Sequence, residues 1–145
     1  MSLEDYAPAF ARAADLGINR TVHAAEGRAP REIRVAIEQL HAQRIGHGTT
    51  LLDDPSIVEL VIERGVVIEA CPTSNVHTSA IPSLEAHPLP LWLRHGVRAC
   101  INTDNTLLSS VDSPVEHRRV LGIPGMNDEL LRIAIATGHA AAFRR

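Results

Sequence analysis

The chain has 145 residues, a length that suits one domain. Its apolar share of 45% and charged share of 21% are ordinary for a globular protein, and a net charge of −3 offers no basic field to a nucleic-acid polymer. With no signal peptide and no long apolar span, the expected protein is soluble and cytoplasmic, with no membrane partner.

Leu3, Tyr6, Phe10, Ala13 and Ala14 recur at helical spacing behind Ser2 and Asp5, which are placed as a capping pair, and Gly17 closes that helix. A short strand over Ile18 to His23 is expected next. Gly27 and Pro30 then open a helix whose buried stripe is Ile33, Ala36, Ile37 and Leu40. Arg44-Ile45-Gly46 reads as a second strand that delivers His47. Asp54-Pro55 caps a helix with Ile57, Leu60 and Val61 on its apolar face, and Gly65 stops it. Val66 to Cys71 is nearly continuous in apolar and β-branched residues, as in parallel strands buried on both faces. Pro72-Thr73-Ser74-Asn75 breaks that strand, and an irregular stretch is expected to follow as far as Pro88. A short helix over Leu89 to His95, closed by Gly96, precedes a fourth strand over Val97 to Asn102. Ser113-Pro114 starts a helix through Leu121, and Asn127-Asp128-Glu129 caps a last one carrying Leu130, Leu131, Ala134 and Ile135.

Strand and helix alternate four times, which implies parallel strands with right-handed crossovers. The expected fold is therefore α/β, a single partial domain over 1–145 made of about four βα units of a (β/α)8 barrel. No glycine-rich loop follows a strand, so a nucleotide-phosphate cradle is not expected. Chemistry stands instead at the end of each strand: His23 with Glu26, then His47, then Cys71 to Asn75, then Asp104 with Asn105. A barrel builds its site at those ends.

Imidazole nitrogen and carboxylate oxygen are zinc donors, which makes His23 and Asp104 the candidate ligands. Glu26 is placed to shuttle a proton, and His47 to orient or deprotonate a water. Spacing alone leaves a metal site and a cluster of satisfied polar residues both open. His77, His87, His95, His117 and His139 lie singly and read as structural or solvated. Cys71 and Cys100 lie in apolar runs and read as reduced core residues.

Thr21-Val22-His23-Ala24-Ala25-Glu26, Arg44-Ile45-Gly46-His47-Gly48, Glu69-Ala70-Cys71-Pro72-Thr73-Ser74-Asn75 and Ile101-Asn102-Thr103-Asp104 together resemble, in order and approximate spacing, the adenosine deaminase family. The resemblance implies zinc-dependent hydrolytic deamination of adenosine or a related 6-aminopurine. It makes His23 and Asp104 zinc ligands and Glu26 the acid that protonates the purine N1. His47 becomes the residue that holds the attacking water, and Asn105 a contact to the purine N7. Three departures stand out. Ala25 replaces the glycine of the family's usual His-Ala-Gly-Glu block, and Asn105 stands where many members carry a second aspartate. The His-x-His pair that supplies two more zinc ligands on the family's first strand is absent.

The chain thus resembles the C-terminal half of such a barrel, strands five to eight, with half of the zinc shell. The partner expected beside the small purine nucleoside is the N-terminal half-barrel or another copy. Two other readings stay open: a non-catalytic half-barrel that serves as an interaction module, and an enzyme acting on adenine or aminodeoxyfutalosine.

Overall fold

The computed structural model describes residues 2–143. Four strands, β1 (Thr21–Ala24), β2 (Arg44–His47), β3 (Val67–Ala70) and β4 (Ala99–Ile101), lie side by side in chain order. Each pairs in parallel with the next, and His23, Gly46, Glu69 and Cys100 align across the sheet. A helix follows every strand, which is the four-unit α/β order expected from sequence and consistent with half of a barrel. β1 and β4 pair on one side only, so the sheet is open at both edges.

The helices are α1 (Ala7–Asp15), α2 (Arg31–Glu38), α3 (Pro55–Glu63), α4 (Pro72–His77), α5 (Leu89–Arg94), α6 (Thr106–Ser109), α7 (Ser113–Val120) and α8 (Asp128–Ala141). Proline at a first turn starts several of them, where its missing N–H has no helical partner to lose. Asp54, Asp112 and Asn127 accept backbone N–H groups from Ser56, Val115 and Leu130 as side-chain caps.

The core lies between the sheet and these helices. Val22, Ala24, Ile45, Ile68, Ala70, Ala99 and Ile101 from the strands meet Ile33, Ile37, Leu40, Ile57, Val61, Leu89 and Trp92. The stripe foreseen on α2 is buried as expected, including Leu40 just beyond its end. α1 buries nothing fully, and Tyr6 stays exposed. The opposite face of the sheet is polar: Thr21 donates to Glu69 at 2.8 Å, and Arg44 lies 3.1 Å from the same carboxylate. α8 packs along β4 and ends near Arg44, whose guanidinium lies 3.6 Å from the Phe143 ring centroid.

Three strands are shorter at their starts than the sequence suggests, for one reason. Gly17, Gly65 and Gly96 have positive φ, and each forms a Schellman closure in which the following residue belongs to the helix end. Ile18 N–H bonds to Ala13, Val66 N–H to Val61 and Val97 N–H to Trp92. Ile18, expected in the first strand, is accordingly exposed. The stretch after the third strand also differs from expectation. Pro72 does not open an irregular run but is the first residue of α4, and a short 3-10 turn over Leu84–Ala86 adds further order before α5. Among the described residues no helix is long and apolar enough to cross a membrane.

Candidate active site

His23 is the third residue of β1 and points to the polar, exposed face of the sheet. Its neighbour in register is Gly46, and a methyl group there would come within 3.0 Å of His23 Cδ2. Glycine at 46 therefore makes the slot for the His23 ring. His47, the next residue, closes β2 with φ of 70°, and this left-handed turn carries its side chain out of the strand's alternation and towards His23. The rings stand edge to face with centroids 4.5 Å apart, and His47 Nε2 is 3.0 Å from His23 Nδ1. His47 is buried, and burial holds it below the ordinary histidine pKa against the pull of the Glu26 carboxylate.

Glu26 lies two residues past β1, beyond Ala25, which is fully buried with φ of 57°. Ala25 stands where the family's usual block has glycine, and its methyl group sits in a backbone conformation suited to glycine. Glu26 Oε2 is 3.6 Å from His47 Nε2. Its other oxygen accepts from Thr78 Oγ1 at 2.7 Å and from Asn75 Nδ2 at 3.3 Å.

Asp104, two residues beyond Asn102 at the top of β4, also has positive φ, 55°. Its Oδ2 accepts from Ser74 Oγ at 2.7 Å. His23, His47 and Asp104 line one open cavity of about 340 Å³ together with Cys71 and Asn102. A larger cavity, about 720 Å³, lies at the opposite ends of the strands around Arg44, Arg98 and Phe143 and holds none of the candidate residues. Asn105 is exposed and does not line the smaller cavity; its Oδ1 accepts Leu108 N–H at 2.8 Å as the cap of α6.

The sequence placed Ser74 and Asn75 among the polar residues at the strand ends without giving them partners, and it did not point to Thr78 or His87 at all. The first three ride on or just beyond α4, and together they hold Asp104, Glu26 and His47. His87 stands behind them with Nε2 3.3 Å from Asn75 Oδ1, and burial lowers its pKa to about 3. The one signal available was Pro72, which can begin a helix as well as end a strand. Cys71 and Cys100 are buried free thiols, as expected, and burial raises both pKa values, that of Cys100 to about 11. Neither suits a nucleophile.

As metal donors, His23 and Asp104 have the right chemistry, and no hydrogen bond from a described residue engages His23 Nε2 or Asp104 Oδ1. The set is short: among the described residues, no three His, Cys, Asp or Glu side chains come together to hold an ion. Two donors make half of a four-coordinate zinc shell.

A family model described as adenosine deaminase matches residues 1–144. The chain belongs to the adenosine deaminase family. Curated relatives include the adenosine deaminase of Serratia proteamaculans, 42% identical over 136 residues, and that of Escherichia coli, 41% identical over 134. Each alignment covers 92% of this chain and 40% of the relative, so the chain spans about two fifths of the length of these family members. Among solved structures, an adenine deaminase from Arthrobacter aurescens superposes with a TM-score of 0.93 at 26% identity, covering 99% of this chain and 44% of that one. An amidohydrolase from Burkhoderia ambifaria with bound Zn gives 0.88 at 25% identity, covering 99% and 41%.

Proposed function

We propose that this chain supplies the proton-transfer side and half of the metal shell of a hydrolytic deaminase acting on adenosine or a related 6-aminopurine. The observation that carries the proposal is the meeting of Glu26, His47 and His23, with His47 3.0 Å from His23 and 3.6 Å from the Glu26 carboxylate, and with Asp104 on the cavity that the two histidines line. The activities named for the family relatives support it. In the net reaction water adds at C6, the exocyclic nitrogen leaves as ammonia, and the 6-aminopurine becomes a 6-oxopurine.

Glu26, held by Thr78 and Asn75, gives its proton to N1 as the ring loses aromaticity and takes one back as it recovers. His47, fixed in a buried slot, orients the attacking water and stabilises charge on its oxygen. Asn105 offers its Nδ2 to the purine N7, because its Oδ1 is engaged by α6. His23 and Asp104 would hold zinc with two donors from outside this chain, the His-x-His pair of an N-terminal half-barrel. Bound zinc lowers the pKa of water to about 7 and so supplies hydroxide. The open edges at β1 and β4 suit such a partner, since unpaired strand edges favour pairing. Two buried thiols suit a reducing compartment and support a cytoplasmic setting.

Zinc content and adenosine turnover test the proposal, on this chain alone and with an N-terminal half that carries the His-x-His strand. Activity is expected in the mixture only and should disappear with Glu26→Gln. Zinc and turnover in the lone chain would overturn the ligand count. Absence of both from both samples would favour the non-catalytic interaction module, and turnover of adenine or aminodeoxyfutalosine in place of adenosine would revise the substrate.

A further inference from the structure

The cavity of about 720 Å³ lies at the strand starts, at the end of the sheet away from Glu26 and Asp104. The segments entering β2, β3 and β4 line it together with the last turn of α8. Among the described residues that line it are Arg44, Arg64 and Arg98, and no Asp or Glu. Arg44 is the first residue of β2, Arg98 directly precedes β4, and β3 lies between them. Two strand spacings put their backbones about 10 Å apart, a span that two arginine side chains bridge around one small anion.

Two of these guanidiniums are already anchored. Arg44 lies 3.6 Å from the Phe143 ring centroid, with Nε 3.1 Å from the Glu69 carboxylate and Nη1 donating to the Ala141 carbonyl at 3.4 Å. Arg98 Nη1 donates to the Gly65 carbonyl at 3.0 Å. A guanidinium has more N–H groups than these contacts use, so both side chains keep donors to spare. Arg64 is exposed, and its side chain has no partner among the described residues. Gln43 adds a further donor: its Oε1 accepts the Arg20 N–H at 3.0 Å, which leaves the Nε2 amide protons. Nearby acceptors are in the opposite condition. The carbonyls of His41, Gln43, Gly65 and Ala141 already receive N–H groups from Arg20, Val67, Arg98 and Arg44.

Charge has the same sense. Glu69 offsets one guanidinium, and the carboxyl end of α8 contributes about half a negative charge. A positive field of more than one charge is left, around donors without acceptors. Such a cavity suits a polyvalent oxyanion and disfavours a neutral or cationic ligand.

We propose that this cavity binds a phosphate group through Arg44, Arg64, Arg98 and the Gln43 amide. The donors are side chains from three separate segments, which is why no glycine-rich loop marks the site in the sequence. Free phosphate and the phosphate of a nucleotide share this chemistry, and the volume admits either. The site is independent of the deaminase reading, since it uses neither zinc nor any residue of the candidate active site.

Backbone-amide and arginine Nε–H NMR on this chain tests the proposal. Sodium phosphate is titrated in a buffer without other multivalent anions, with sodium chloride holding the ionic strength constant. Saturable shifts are expected at Gln43, Arg44, Arg98 and Phe143, with the Glu26 and His47 amides unmoved. Arg64→Gln and Arg98→Gln should each weaken binding about tenfold, the worth of one charge-assisted hydrogen bond. Arg118→Gln removes the same charge from an exposed position on α7 outside the cavity and should leave binding unchanged. Arg64→Gln breaks no described side-chain contact, so it decides the matter even where Arg98→Gln fails to fold. Parallel titrations with AMP and adenosine separate the sources. Tighter binding of AMP than of phosphate assigns the site to a nucleotide, and equal or weaker binding assigns it to the free ion. Shifts that fail to saturate, that sodium chloride reproduces, or that adenosine also causes at these residues overturn the proposal. So does an Arg64→Gln chain that binds phosphate as tightly as the parent.

Discussion

Replacing Glu116 with alanine removes a carboxylate that has no exposed surface yet makes no contact with the candidate cavity. From α7 it accepts the backbone N–H of Thr73 at 2.8 Å and the Thr73 hydroxyl as well. Thr73 is the second residue of α4, so Glu116 serves as a distant cap on a helix too short to hold its own first turn. Hydrogen bonds to a charged acceptor contribute about 1.5–3 kcal/mol each. The threonine hydroxyl keeps a partner in Arg119, 3.0 Å away, while the backbone N–H is left buried and unpaired. Glu116→Ala should therefore cost about 3–5 kcal/mol, cavity included. Glu116→Gln retains an oxygen for the N–H and gives up only charge assistance, about 1–2 kcal/mol. Urea unfolding reads the difference. With a slope of about 2 kcal/mol per molar, the midpoint should fall by about 1.5–2.5 M for alanine and under about 1 M for glutamine. Amide exchange at Thr73 and Asn75 should quicken in the same order. Equal losses for the two variants, or an alanine variant within about 1 kcal/mol of the parent, would refute the capping argument.

Two further outcomes are expected. His87 has a folded pKa lowered to about 3 from an ordinary 6.5, so the unfolded chain takes up its proton first. The sign follows: stability is full above pH 6.5 and declines as pH falls towards 3, by about 1.4 kcal/mol per pH unit within that window. Urea midpoints across pH 7 to 4 should show this slope in the parent and lose it in His87→Gln; an unchanged slope would remove His87 as its source. At Asn105, Asn105→Asp keeps the cap on Leu108 N–H and Asn105→Ala loses it. In the complemented enzyme both should alter KM for adenosine about three- to tenfold, the worth of one hydrogen bond. Two unchanged values would place Asn105 outside the purine site.

The strand order and the meeting of His23, Glu26 and His47 were legible because they depend on local pattern: β-branched runs, a stopping glycine and a polar residue at the strand end. What was not legible depends on long-range contacts. α4 was missed because Pro72-Thr73-Ser74-Asn75 has breaker composition, and the group that stabilises its start is 43 residues further on. α6 has only four residues and rests on Asn105, which the sequence reading had given to substrate. Asn75 and His87 touch the site through space, and no spacing in the chain reveals that one lies behind the other. The early starts given to three strands had a local cause that could have been read: the residue after each helix-ending glycine completes the helix cap.

Ala25, His47 and Asp104 share a left-handed backbone, each just past or at the end of its strand. A side chain in that conformation costs about 1–2 kcal/mol, so the three together cost on the order of the stability margin of a small domain. The three positions differ in how they can change. At 47 and 104 the strained residue carries a proposed role in the site, and glycine would relieve the backbone by deleting that side chain. At 25 the side chain is a methyl group and relief is open, partly offset by the greater chain freedom of glycine and the lost burial of one methyl. An exchange of alanine for glycine at 25 is therefore nearly neutral in stability, while at 47 and 104 the backbone and the proposed role of the side chain pull in opposite directions. Glycine at 47 or 104 would thus be expected to raise stability while removing a proposed site residue, and glycine at 25 to change little.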